Sequence, residues 1–172
     1  MFKEMIIGLK GKYLAAKTVR FERKLSFHNF KTARNCLLFG VYGDVTEEEM
    51  LRLKALLESY MDVSLLFFSS LKCEREKNLT DAIYANETSI SFWGSFTDCL
   101  LKKTVENSFD LLIDLSMKRN NFGDYILRHS RAKCKIGMER DGFECDIVFD
   151  QVNGMEDFTK RVCNLLSHIN AY

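Results

Sequence analysis

Proline does not occur anywhere in the 172 residues. At an ordinary usage near 5%, about eight would be expected. Its absence excludes Pro-rich linkers and cis-proline turns, and fits a compact chain. Long apolar runs are also missing. No stretch approaches the roughly 20 residues that a membrane-spanning helix needs. The opening "MFKEMIIGLKGKYLAAK" lacks the uninterrupted apolar core and small-residue cleavage site of a secretory signal. A cytoplasmic setting is therefore expected.

Several chemical signatures are absent as well. There is no GxGxxG or GxxxxGK[ST], no HExxH and no GxSxG nucleophile elbow. "GVYGDV" lacks the three-glycine spacing of a pyrophosphate turn. The six cysteines Cys36, Cys73, Cys99, Cys134, Cys145 and Cys163 form no CxxC or CxH pair. Nearby ligand pairs reduce the entropy of closing a metal site, so these read as free structural thiols in a reducing compartment. His28, His129 and His168 are widely separated, and His129 reads as a surface or helix C-terminal residue. No catalytic residue, metal site or cofactor is expected.

What is present is a chain with 47% hydrophobic and 28% charged residues, sufficient for one substantial core. Its formal net charge of +1 hides a division. Residues 1–34 carry nine Lys and Arg against two acidic residues, a local +7; sixteen against twenty-two leave −6 in the remainder. The expected organisation is a basic N-terminal helical arm over residues 1–34 and a single α/β domain over 35–172.

Phe2, Met5, Ile6, Leu9 and Tyr13 recur at steps of three or four and predict an amphipathic helix. Gly8 and Gly11 weaken it by about 1 kcal/mol each. "CLLFGVY", "VSLLFFSS" and "FDLLIDLS" are nearly continuous apolar runs, the pattern of strands buried on both faces. Between the first two, Thr46 and Glu49 form a capping box before a helix whose stripe is Met50, Leu53, Leu56 and Leu57. "LKCEREKNLTDAIYANET" reads as a long polar connection and "SISFWG" as a short strand. A helix from near Thr97 follows, then one around Phe122 and Tyr125–Leu127. "AKCKIGM" and "FECDIVFD" supply further strands. A terminal helix uses Phe158, Val162, Leu165, Leu166 and Ile169. The architecture is α/β: a three-layer, mainly parallel sheet flanked by helices, with an N-terminal amphipathic helix.

In such sheets, ligands bind outside the carboxyl ends of the strands. Gly43 and Asp44 follow the first strand, and Asp114 and Ser116 end the third apolar run. These four are the candidates for ligand binding: Asp44 to orient a hydroxyl or amine, Gly43 to let backbone come close. The competing reading is turn and cap chemistry. Asp110, Asp114, Asp146 and Asp150 are also available as carboxylates, with solvated strand ends as the default. Trp93, the only tryptophan, reads first as core or sheet-edge filling, and second as a partner-binding hot spot.

"FGVYGDV", "FDLLIDLS" and "HSRAKCKIGMER" resemble, in order, segments of the N-terminal Rossmann-like half of lipopolysaccharide heptosyltransferases, over residues 36–140. Those enzymes bind the sugar nucleotide mainly through a second domain, for which nothing after "SHINAY" provides. The resemblance therefore does not carry Asp44 over as a catalytic base. "SFHNFKTARNCLLFG", "SFWG", "FDLLIDLS", "SRAKCKIG" and "INAY" resemble, over nearly the whole chain, an uncharacterised family of small Bacteroidetes α/β proteins. That resemblance implies fold without function.

The leading expectation is a non-enzymatic interaction or regulatory module with an unknown protein partner or a homo-oligomer. The alternatives are a small-molecule, nucleotide or phosphosugar binder using the sheet's carboxyl edge, and a membrane-surface protein using the basic N-terminal helix. Nucleic acid is not expected, given the acidic body. Membrane contact through residues 1–26 is the lesser reading, and the arm is expected to pack on its own body or a partner.

Overall fold

Hydrophobic runs without polar alternation dictate strands covered on both sides, and the computed structural model is built around them. It describes residues 2–17, 23–71, 79–141 and 145–171. The elements are α1 (Phe2–Ala16), β1 (Asn35–Val41), α2 (Glu47–Leu57), β2 (Asp62–Phe68), β3 (Ala82–Ala85), α3 (Cys99–Glu106), β4 (Leu111–Asp114), α4 (Asn121–His129), β5 (Cys134–Met138), β6 (Ile147–Phe149) and α5 (Gly154–His168). Among the described residues all five strand pairings are parallel, in the order β3-β2-β1-β4-β5-β6.

The three runs read as interior strands are β2, β1 and β4, adjacent in the middle of the sheet. Alternation of side chains divides the core in two. Cys36, Leu38, Leu65, Phe67 and Ile113 face the layer of α2 and α5. Leu37, Phe39, Leu66, Phe68 and Leu112 face the layer containing α3 and α4, with Leu14 of α1. The edge strands β3 and β6 are only partly covered. The Thr46–Glu49 capping box is present at the start of α2.

Three sequence expectations are corrected. The polar connection contains β3, a four-residue edge strand paired, among the described residues, with β2 alone; its brevity hid it among polar neighbours. "SISFWG" is not a strand. A 3-10 turn over Glu87–Ser89, capped by Asn86, leads into a loop in which Ile90 makes a single bridge to Phe96. Within the α2 stripe, Leu56 is exposed while Met50, Leu53 and Leu57 are buried.

The N-terminal helix packs on α4 of its own chain, but not through Met5, Ile6, Leu9 and Tyr13 of the expected stripe, while the Phe2 side chain lies outside the described residues. Ile7, Gly11 and Leu14 face the body. Met5, Ile6, Leu9 and Tyr13 face outward. Gly11 is a contact surface rather than a weakness: a Cβ there would lie 3.1 Å from the Phe122 ring. Lys10 Nζ donates to the carbonyls of Glu87 and Ile90, and Arg128 donates to the Ala15 carbonyl at 2.7 Å. Among the described residues, no helix is long and apolar enough to cross a membrane.

Candidate functional site

Strand order reverses between β1 and β4, because the chain builds outward through β2 and β3 and then returns to the other side of β1. The carboxyl ends of those two strands bring Gly43, Asp44, Asp114 and Ser116 to one edge. Asp114 pairs in register with Phe39, and Leu115 N–H donates to the Phe39 carbonyl at 2.9 Å. Gly43 has φ +98°, and nothing lies within 4 Å of where its Cβ would be. The glycine serves the turn conformation there.

The carboxylates at this edge are spent on partners within the chain. Asp44 Oδ2 accepts from the backbone N–H groups of Met117 (3.1 Å) and Lys118 (2.8 Å), tying the β1 turn to the β4 turn. Asp114 Oδ1 accepts from Ser116 N–H at 2.9 Å, and Oδ2 accepts from Arg140 at 2.7 Å. The second arm of Arg140 donates to Asp124 in the first turn of α4. These are buried charges: the side chains of Arg140, Asp114 and Asp124 are 3%, 1% and 2% exposed. Burial works against the charged guanidinium, but the two carboxylates outweigh it and hold the Arg140 pKa above its ordinary value. Burial pushes the Asp124 carboxyl up, against the pull of Arg140, and the Asp114 charge adds to the rise. Two polar atoms in this cluster, Ser116 Oγ and Asp124 Oδ2, are buried without a hydrogen-bond partner.

The neighbouring helix starts are filled too. Glu49 Oε2 accepts from Thr46 N–H at 2.9 Å, and Thr46 Oγ accepts from Glu49 N–H at 3.2 Å. Glu47, beside them, accepts hydrogen bonds from Tyr42 and Tyr84. Asn120 accepts from Phe122 and Gly123 N–H at the start of α4. Asp157 accepts from Asn153 N–H at the start of α5. An anion at any of these positive helix ends would compete with a group already there.

The other candidates disperse. Asp110 lies at the opposite end of β4, where it accepts from Arg34 N–H (2.8 Å) and Lys133 (2.7 Å). Asp146 pairs with Arg23 and accepts from Lys135 N–H at 2.7 Å, and Asp150 is exposed. His129 ends α4, with Nδ1 2.8 Å from the Tyr125 carbonyl; burial favours its neutral form. Cys36, Cys99, Cys134, Cys145 and Cys163 are free thiols, while Cys73 lies outside the described residues. Burial pushes Cys134 up to about 12 and raises Cys36 and Cys145 as well, so these three are not poised as thiolates. Among the described residues, no group of three or more His, Cys, Asp or Glu could hold a metal ion. A shallow groove of about 440 Å³ runs between α2 and α5 past Leu56. Its rim charges Arg52 and Lys160 pair with glutamates of their own helices.

The aromatic segment forms a different kind of feature. Trp93 is 73% exposed and Phe92 45%, correcting the expectation that they fill the core or a sheet edge. Tyr13 of α1 stacks on Phe92 with centroids 5.7 Å apart, and Trp93 meets Phe92 edge-on at 5.7 Å. The outward stripe of α1 thus continues into this turn. The sequence contained the stripe, but not the partner that chose which face to bury. No curated protein and no solved structure matches the chain. A family model matches residues 12–169, and on that match the chain belongs to DUF6913, a family of unknown function.

Proposed function

We propose that this protein is a non-enzymatic interaction module that docks through the outer face of α1 and the adjoining Phe92–Trp93 turn. The observation that carries the reading is the outward exposure of Met5, Ile6, Leu9 and Tyr13, contiguous with Phe92 and Trp93. A helix with apolar residues on opposite sides is ordinarily covered on both. Here one side covers the body and the other meets solvent. The internally paired carboxylates of the sheet edge support the same reading, because they leave that edge few unspent groups for a substrate.

A second reading is a ligand at the switch point. The strand order is that of Rossmann sheets, which bind ligands there, and Ser116 Oγ and Asp124 Oδ2 are buried and unpaired. A thermal-shift screen of the full chain against nucleotides, sugar nucleotides and phosphosugars separates the two. The interaction reading expects an unchanged Tm throughout. A saturating ligand at about 100 times its Kd would add about 2.7 kcal/mol and raise Tm by several degrees. Such a rise, abolished by Ser116→Ala or Asp124→Asn, would overturn the interaction reading in favour of the second.

A further inference from the structure

We infer that the occupant of the α1 face is an anionic lipid surface, on which the helix lies with Met5, Leu9, Tyr13 and Trp93 inserted among the headgroups. This rests on the docking role proposed above and names its partner. Residues four apart lie on one side of a helix, so Met5, Leu9 and Tyr13 form a single ridge. They are 55%, 56% and 42% exposed, and Ile6 beside them is 40% exposed. The ridge stands opposite the buried Gly11 and Leu14, so it points away from the body. With Phe92 and Trp93 the patch is of the order of 600 Å², at the upper end of what soluble monomers expose.

Its charge selects among occupants. Over residues 2–17, Lys3, Lys10, Lys12 and Lys17 stand against Glu4 alone. A second copy would bring two such basic helices together. Anionic headgroups instead meet this basic helix with opposite charge: Lys12 is exposed, and Lys17, bonded to the Trp93 carbonyl, keeps its charge beside the patch. Shape agrees: a helical ridge flanked by a protruding tryptophan needs no complementary groove on a bilayer. Aromatic and leucine side chains on one face with lysines beside them are what interfacial helices use.

The presentation is fixed in advance. Lys17 Nζ donates to the Trp93 carbonyl and Tyr125 Oη to the Gly94 carbonyl, both at 2.7 Å, and Ser91 N–H donates to the Ser95 carbonyl at 2.7 Å. The tryptophan is therefore carried on a bonded turn rather than a loose loop, and little ordering remains to oppose insertion.

Trp93 is the only tryptophan, so selectively excited tryptophan emission reads this face alone. The full chain is titrated with vesicles of phosphatidylcholine containing phosphatidylglycerol, and with phosphatidylcholine alone. Expected are a blue shift on the anionic vesicles only, weakened by added salt, and an affinity on the order of tenfold lower for Leu9→Glu. Circular dichroism should show Leu9→Glu folded like the parent. Emission unchanged on every vesicle would overturn the lipid assignment. If the chain then proves to be a dimer that Leu9→Glu dissociates, the docking face stands with a second copy as its occupant. If it proves monomeric as well, the proposed function falls with the lipid assignment.

Discussion

The switch-point edge of the sheet and the outer face of α1 dispose of their side chains in opposite ways. At the edge, Asp44, Asp114, Asp124 and Arg140 satisfy backbone N–H groups and one another. On α1, Met5, Leu9 and Tyr13 point at solvent although the same helix has a buried side. The contrast separates where a fold permits function from where this chain has surface left to use. Topology alone would direct attention to the edge. Yet the carboxylates there are spent on internal partners, with Ser116 Oγ and Asp124 Oδ2 left over, while a whole apolar face of the helix is uncovered.

The largest effect should come from breaking the edge cluster. Arg140→Met removes the cation between two buried carboxylates and should cost about 3–5 kcal/mol in urea unfolding at neutral pH. The sign with pH follows from the uncompensated acids. Asp124 already lies above its ordinary value through burial, and losing Arg140 raises it further. A carboxyl with a raised folded pKa destabilises above that pKa, and the penalty shrinks as pH falls through it. The deficit of the variant should therefore narrow as pH falls from neutrality towards the ordinary carboxylate value of 3.8. A deficit that stays constant or widens would show that the cluster is not held by charge.

The next effect concerns how α1 is seated. Gly11→Leu forces a side chain into the Phe122 contact, where even a Cβ would lie at 3.1 Å; it should cost about 1–3 kcal/mol. Gly8 has nothing within 4 Å of its Cβ position, so Gly8→Ala should stabilise by about 0.5–1 kcal/mol. Opposite signs for two glycines three residues apart are the specific mark of this packing. Matching signs would mean that α1 is seated through another face.

Asp110 extends the comparison to the opposite end of β4. Burial works against its charge, but Lys133 and the Arg34 N–H outweigh that and lower its pKa. A lowered pKa stabilises above the unfolded value near 3.8, and the contribution is lost as pH falls through the folded value. Asp110→Asn should cost about 1–3 kcal/mol at neutral pH. Its difference from the parent should shrink only below about pH 4, because the parent then loses stability, whereas the Arg140→Met deficit narrows at higher pH because the variant recovers. A thermal melt of each variant across that range distinguishes them.

The sequence revealed what local pattern encodes. "CLLFGVY" and "FDLLIDLS" are apolar on both sides because helices cover both faces, and they occupy the sheet interior. Gly43, Asp44, Asp114 and Ser116 could be placed at one edge because strand ends in a parallel sheet share a direction. Asp124 and Arg140 were not legible: their partnership spans 16 residues, and that of Arg140 with Asp114 spans 26. Only the folded sheet brings them together. The helix period of α1 was legible, but its buried side was not. Apolar residues lie around it, and the deciding feature was the room at Gly11 for Phe122.

The smallest effect on stability is the most discriminating for the docking face. Leu9→Gln and Trp93→Ser replace side chains already 56% and 73% exposed. They remove little area that folding takes from water, so each should change stability by no more than about 0.5 kcal/mol. A structural role would require more, since burying a leucine contributes about 1.5–3 kcal/mol. Leu9→Gln leaves the Tyr13–Phe92 stack in place, and Trp93→Ser removes only the edge-on contact that Trp93 makes with Phe92. Chemical denaturation of the two single variants and their double, at matched protein concentration, measures this directly. Losses of 1.5 kcal/mol or more in dilute monomer would mean that the patch contributes to the fold. Near-neutral values would leave docking as the reason these side chains face outward.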